Sequence, residues 1–473
     1  MTRAARLRNR PLATSRNAEQ RAQLCFAAGE FDDALAHNTA ALRQVSSPSL
    51  YNRQSGILIG LGRYAEALGA ANQALEHGPA YPEALFNHSL ALLGTGDTIQ
   101  ALAVMERLAG QTPQNSTILY ALALQQLRAG RCNAETWRRF DYRLMQGRAG
   151  ADLGCLGIWQ GEDLTGRTLL IHAEEGLGDT LQFARFVPAL AGRASRIVLA
   201  VQQPLVRLLQ GLPGVDQVIA TGATLPPFDA LCPLLSLPAI LRTGPDTIPA
   251  PTPLACFGAA AVPDHALPGH ALPEHALRVG LVWHGSPSLL DDRHRSIDPQ
   301  AFAVLAGIGN VQFVSLQKHE PARGRLPAAL RSTDLLAGVT DFADTASRLQ
   351  AIDLVITVDT AMAHLAATIG KPVWLLSRQN GCWRWMQDRR DSPWYPTVTL
   401  YRQTKTGEWG PVLQAVRRDL IATAHAHLNP GHSSHARLAT AACTVLSSKQ
   451  AIVIGPTPPG TGVIAPAVVT ASA

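Results

Sequence analysis

No apolar run in this 473-residue chain approaches the roughly 18 residues that a membrane-spanning helix needs, so no transmembrane segment is expected. The basic N-terminus, MTRAARLRNRPLATSR, lacks the apolar stretch of a secretion signal, which makes a cytoplasmic location the expectation. The seven cysteines, at 25, 132, 155, 232, 256, 382 and 443, never form a C-x-x-C pair. That scatter argues against a disulfide framework or a zinc site, and for reduced thiols. Lysine is nearly missing, at four of the 41 basic residues, and the net charge of +6 is mild for this length. With no basic stripe interleaved with aromatics, no nucleic-acid partner is expected. The 47% apolar content supplies ample core, and the chain has room for three domains of ordinary size.

The first third repeats itself. Gly29-x-Phe31-x-x-Ala34, Gly62-x-Tyr64-x-x-Ala67 and Gly96-x-Thr98-x-x-Ala101 recur at spacings of 33 and 34 residues. Ala41 and Ala74 keep a fixed offset, Pro48, Pro79 and Pro113 punctuate the unit ends, and a weaker fourth copy runs from Ser116 through Gly130 to Trp137. In this period the segment 16–150 resembles the tetratricopeptide repeat (TPR) family. The glycines and alanines are expected to let the helices of each pair approach closely, and the prolines to end the second helix.

From about residue 166 the pattern becomes alternating strand and helix. Strands are expected at 168–172, 196–201, 215–220 and 228–234, with helices at 180–190 and 203–211. Residues 243–276 are rich in proline, alanine and histidine. There His265, His270 and His275 recur at intervals of five on no rigid element, and read as linker rather than metal tract. A second α/β block opens at 278–283, continues through 311–317, and closes with a helix around 410–424. Two such halves joined by a linker leave a cleft between them. The expected division is a basic flexible N-terminus over 1–15, helical repeats over 16–150, and α/β halves over 151–276 and 277–425. A disordered tail is expected over 426–473, where composition turns to Ser, Thr, Pro, Gly and Ala.

The most informative segment is 353–376, DLVITVDTAMAHLAATIGKPVWLL. An apolar strand stops at Asp359-Thr360, a helix carrying Met362, Leu365 and Ile369 follows, and Lys371-Pro372 leads into a second strand. Strand, turn, helix, strand is the unit of an open parallel sheet, which binds ligands beyond the carboxyl ends of its strands. The first helix turn also offers free N–H groups to anions. Asp359, Thr360, Ala361 and His364 stand there, although His364 also suits a packed core position.

Three further constellations accompany it. Glu174-Glu175-Gly176-Leu177-Gly178-Asp179-Thr180 is a glycine-containing loop entering a helix, where Gly176 and Gly178 allow close backbone approach. Asp179 there reads as an N-cap, as a group facing the cleft, or as both. Trp283-His284-Gly285-Ser286-Pro287 follows a strand and leads to Asp291-Asp292-Arg293-His294-Arg295, whose arginines suit a diphosphate or ordinary pairing to the two aspartates. Asp291 and Asp292 lack a further carboxylate, which weighs against a metal site. Trp383-Arg384-Trp385 and Trp394-Tyr395, near Tyr401-Arg402, suit stacking on a base or sugar, or a structural cap.

Taken together, EEGLGDTLQFARFVPAL, FDALCPLLSLP, VGLVWHGSP with DRHRSI, DFADTASRL, DLVITVDTAMAHLAATIGKPVW, and WRW with DSPWYP resemble a known combination. It is the bacterial tetratricopeptide-repeat protein fused to a heptosyltransferase-like domain of glycosyltransferase family 9, and it covers residues 16–425. The resemblance implies an N-terminal all-α solenoid followed by a GT-B module of two Rossmann-like domains. It implies metal-independent, inverting transfer from a nucleotide-sugar to a glycan or protein acceptor, with the repeats recruiting acceptor or partner peptide and no cofactor. Asp179 would be the general base and Arg295 would stabilise the leaving diphosphate. Gly176, Gly178, Gly285, Asp359, Thr360, Ala361 and His364 would line the donor site, with Trp383, Trp385 and Trp394 as candidate sugar contacts. The chain departs from the usual pattern at Leu289 (histidine), Glu175 (glutamine) and Cys382 (aspartate). The alternative is a non-catalytic peptide-binding scaffold with a degenerate transferase domain.

Overall fold

The computed structural model describes residues 15–146, 158–252, 254, 276–286, 292–318 and 323–428. The N-terminal segment, the histidine-bearing linker, Leu289, Asp291 and nearly all of the tail lie outside the described residues.

Among the described residues, eight helices form four consecutive pairs in the N-terminal region: α1 (Ser15–Ala27) with α2 (Phe31–Leu42), α3 (Pro48–Gly60) with α4 (Tyr64–His77), α5 (Pro82–Thr95) with α6 (Thr98–Gln111), and α7 (Ser116–Arg128) with α8 (Ala134–Phe140). Four of their starts are capped by side chains. The Ser47 hydroxyl accepts the Leu50 N–H, Asp97 accepts Gln100 N–H, and Asn115 and Asn133 each accept two N–H groups of the following helix. Pro48 and Pro82 occupy the first helical turn, where no N–H is missed.

The repeated glycines have a different role from the one expected. Gly29, Gly62, Gly96 and Gly130 sit in the turn inside each pair with φ of 76°, 74°, 98° and 75°, a region that residues with a Cβ avoid. Close helix approach falls instead to the fully buried Ala34, Ala67 and Ala101, and to Gly60 and Gly94. A Cβ on Gly60 would stand 2.5 Å from the Phe31 ring, and one on Gly94 would overlap the Tyr64 ring. In the first two pairs the aromatic that opens the second helix thus packs on a glycine of the next pair.

The α/β region holds two parallel sheets. The first has the order β3 (Gln217–Ala220), β2 (Ala194–Val201), β1 (Leu164–His172), β4 (Ala230–Pro233). Its crossover after β1 is α9 (Leu177–Phe183), and 3-10 turns follow over Ala184–Leu190, where Pro188 supplies no N–H to an α-helix. The single helix expected over 180–190 is therefore split. The second sheet has the order β10 (Val398–Arg402), β9 (Val373–Ser377), β8 (Leu354–Val358), β5 (Leu277–Val282), β6 (Val311–Ser315), β7 (Thr333–Asp334). Between them run α10 (Phe342–Leu349) and α11 (Ala361–Thr368), and α12 (Gly410–Leu428) follows β10. The strand order reverses between β5 and β8, which makes their carboxyl ends the switch point where such sheets take ligands. β7 and β10 were not foreseen, and α12 runs past the expected boundary at 425.

One apolar core joins all three parts. Trp137 of α8 meets Trp383 and Trp394 of the second half at ring-centroid distances of 5.9 and 6.2 Å, and Phe183 of the first half at 6.2 Å. These rings are nearly or wholly buried.

Candidate functional site

A cavity of about 560 Å³ lies between the two α/β halves. The first half contributes the loop Gly176–Asp179, and the second contributes Gly285 and Arg295, Asp359 to Ala361, His364 and Arg384. Segments nearly 200 residues apart in sequence thus meet because each follows the carboxyl end of a parallel strand.

On the first side, Glu175 takes φ +66°, the left-handed region, and Gly176 leads into α9. Asp179 is not the N-cap that was expected: Gly176 holds that position, and Asp179, two residues into α9, reaches back so that its Oδ2 accepts the Gly176 N–H at 2.9 Å. Its Oδ1 accepts from the Arg384 guanidinium of the second half. Both carboxylate oxygens are therefore engaged, one within its own loop and one across the cleft.

On the second side, α11 begins at the switch point with Thr360 as N-cap in extended conformation and no side chain capping the turn. Arg295, on the one-turn helix Asp292–Arg295, donates Nε–H to Asp292 at 2.9 Å and Nη1–H to the Asp359 carbonyl at 2.9 Å. A Cβ on Gly285 would collide with both Arg295 and Asp292, so glycine is what admits the arginine at this point. Gln317 closes the strand ends, its Oε1 accepting the N–H groups of Trp283 and His284 at 3.3 and 2.9 Å.

α9 and α11 pack against each other at their N-termini. A Cβ on Gly178 would lie 2.8 Å from His364 Cδ2 and 3.5 Å from the Ala361 Cα. His364 is buried, its Nδ1 lies 3.0 Å from the Tyr395 hydroxyl, and its ring stacks on Trp385 at 5.3 Å. Burial, with Arg384 and Arg185 nearby, holds its imidazole well below the usual range, so it is neutral. It belongs to the core and to the cavity wall at once.

The three tryptophans expected as candidate sugar contacts are not in the cavity wall. Trp383, Trp385 and Trp394 are 5%, 0% and 1% exposed and knit the helical region to the second half. Arg384, between two of them, was passed over at the sequence level. The signal was present: successive residues of a 3-10 turn point about 120° apart, so a cation between two core tryptophans faces away from the core. Among the described residues no group of three His, Cys, Asp or Glu side chains stands ready to hold a metal ion, and no helix is long and apolar enough to cross a membrane.

Comparison with known proteins bears on this geometry. Residues 302–376, which include β8, the Asp359-Thr360 turn and α11, match glycosyltransferase family 9 (heptosyltransferase). The match falls wholly within the second half. Over 398 residues the chain is 26% identical to Protein FlbA of Caulobacter vibrioides, covering 78% of this chain and 66% of that one. Over 107 residues it is 29% identical to the Hsp70-Hsp90 organizing protein of Triticum aestivum, covering 22% and 18%. The chain thus spans under two thirds of either relative. Among solved structures, the TPR protein YrrB aligns at 16% identity and a TM-score of 0.25, over 29% of this chain and 71% of its own. The first TPR of Spaghetti (RPAP3) aligns at 18% and 0.23, over 24% and 90%. The chain thus resembles family 9 transferases over residues 302–376.

Proposed function

We infer that this protein transfers a sugar from a nucleotide-sugar to a hydroxyl of a glycan or protein acceptor, by metal-independent displacement with inversion at the sugar carbon. One observation carries the reading: Gly176–Asp179, Gly285, Arg295 and Asp359–Ala361, motifs scattered along the chain, line a single cleft between two parallel-sheet halves. The six-stranded order supports a Rossmann-like second half, and the pair of sheets supports a GT-B arrangement.

In this reading the donor diphosphate lies at the N-terminus of α11, where Thr360 and Ala361 present backbone N–H groups and Arg295 adds a cation. Gly176, Gly178 and Gly285 keep the walls free of Cβ atoms, and His364 holds α11 against α9. Asp179 takes the acceptor proton, a step that contributes typically about 10²–10⁴-fold. Arginine charge and the helix N-terminus supply the electrostatic stabilisation of the leaving group. The repeats present an extended surface suited to a protein or peptide partner or acceptor, and the cytoplasm is the proposed compartment.

Purified protein incubated with a panel of nucleotide-sugars and candidate acceptors should release nucleoside diphosphate, and Asp179→Ala should suppress that release. Silence across the panel, with peptide binding but no nucleoside diphosphate affinity by calorimetry, would replace this reading with a peptide-binding scaffold.

A further inference from the structure

Arg384 stands where the two halves meet. Its Nη2–H donates to Asp179 and its Nε–H to Gln182, both on α9 of the first half. Its Nη1–H donates to the Cys382 sulfur at 3.1 Å, and its guanidinium lies 4.4 Å from the centre of the Trp383 ring. Of the three side-chain acceptors only Asp179 is a carboxylate. The side chain is 11% exposed, and both it and Asp179 line the cavity. Burial works against the charge on Arg384, and the Asp179 carboxylate, with Cys382 and then Asp359 adding to it, more than offsets that.

This arrangement leaves neither oxygen of Asp179 without a donor. Asp179 Oδ2 already accepts from the Gly176 N–H, so with Arg384 on Oδ1 an incoming hydroxyl has to share or displace a donor. Arg384, for its part, is a cavity-lining cation whose one anionic partner can be exchanged for another. A diphosphate carries more charge than a single carboxylate and matches the guanidinium fork with several oxygens, so it competes well.

Resting on the transferase reading above, we propose that Arg384 is a further catalytic group that changes partners: it releases Asp179 and passes to the donor diphosphate, uncovering Asp179 for the acceptor. The acceptor O–H bond then breaks as its proton moves to Asp179, and the oxygen forms the new bond to the sugar carbon. The bond from that carbon to the diphosphate oxygen breaks with its electron pair remaining on the diphosphate. Arg384 and Arg295 neutralise that charge from two sides. Donor binding thereby precedes exposure of the base, which disfavours proton transfer in the absence of donor.

The test is calorimetric titration of the full chain with ADP, GDP, UDP and CDP, comparing wild type with Arg384→Gln, Arg384→Lys and Asp179→Asn. Removing the cation should weaken the diphosphate that binds by about tenfold or more, with lysine retaining part of the affinity. Removing the competing carboxylate should act in the opposite direction, tightening binding by roughly threefold or more. A merely structural pair predicts lowered melting temperatures with affinity unchanged in all variants, and that result overturns the exchange while leaving the transferase reading intact. Wild type that binds no member of the panel overturns both. Should Arg384→Gln fail to fold, Asp179→Asn decides alone, because affinity equal to or below wild type overturns the exchange.

Discussion

Arg143, which follows the last repeat, donates Nη2–H to the Glu174 carboxylate in the loop that leads to Asp179, and the two side chains are 1% and 2% exposed. Arg143 also donates to Asp141, and to the Ser236 hydroxyl at 3.0 Å. The helical region is therefore wired into the glycine loop of the cleft by a buried charge cluster. Burial pushes the carboxyls of Glu174 and Asp141 up, against the pull of Arg143.

Breaking one partner of such a pair leaves a buried charge uncompensated. Arg143→Met should lower the free energy of unfolding by about 3–5 kcal/mol. Adding Glu174→Gln to the same chain should recover part of that loss, as read by urea denaturation in a double-mutant cycle. Strictly additive losses would show that the two side chains do not interact.

His172, at the end of β1, shares this cluster. Burial first, and the Arg143 charge second, lower its imidazole to about 4. The unfolded chain binds the proton near pH 6.5 and the folded chain only near 4, so between those values the unfolded state holds more protons. The stability contribution is therefore complete above pH 6.5 and is lost as pH falls toward 4, by at most about 3 kcal/mol. Glu174 and Asp141, shifted upward, act in the opposite sense and remain in a His172→Gln variant. Wild-type stability should consequently fall more steeply than that of His172→Gln between pH 7 and 4.5, and parallel curves would contradict the assignment.

Gly285→Ala should separate site from fold. The added Cβ meets the mobile end of Arg295 and the Asp292 carboxylate, which can shift at small cost to stability. Arg295 would then leave the Asp359 carbonyl, and affinity for nucleoside diphosphate should drop by about tenfold, converted from the loss of one charged contact. Unchanged affinity with Arg295 displaced would remove it from the donor site.

Two glycines in the repeats should respond with opposite signs. Gly69 lies inside α4 with open space around it, so Gly69→Ala should stabilise by roughly 0.5–1 kcal/mol through helix propensity. Gly94, inside α5, carries the Tyr64 ring, and Gly94→Ala should cost about 1–3 kcal/mol through overpacking. Thermal unfolding of the two variants compares them directly.

Much of this was legible from local signals. The 33- and 34-residue spacings and the apolar run ending at Asp359-Thr360 each follow from residue type along the chain. Other features were read with the wrong cause. The repeat glycines answer a positive φ in a turn, which a sequence does not distinguish from a helix crossing, and Trp383, Trp385 and Trp394 offered the same composition to a sugar platform or to a core.

By itself the sequence determined the helix pairs, the alternating strands and the two glycine-bearing turns, because periodicity and turn chemistry are local. Only tertiary structure decided that Asp179 faces Arg384 across 205 residues, that Arg143 reaches Glu174, and that the tryptophans close an interface instead of lining the cleft. Those choices depend on which buried charges and rings the packing of three units brings within contact, and that follows from the assembled core.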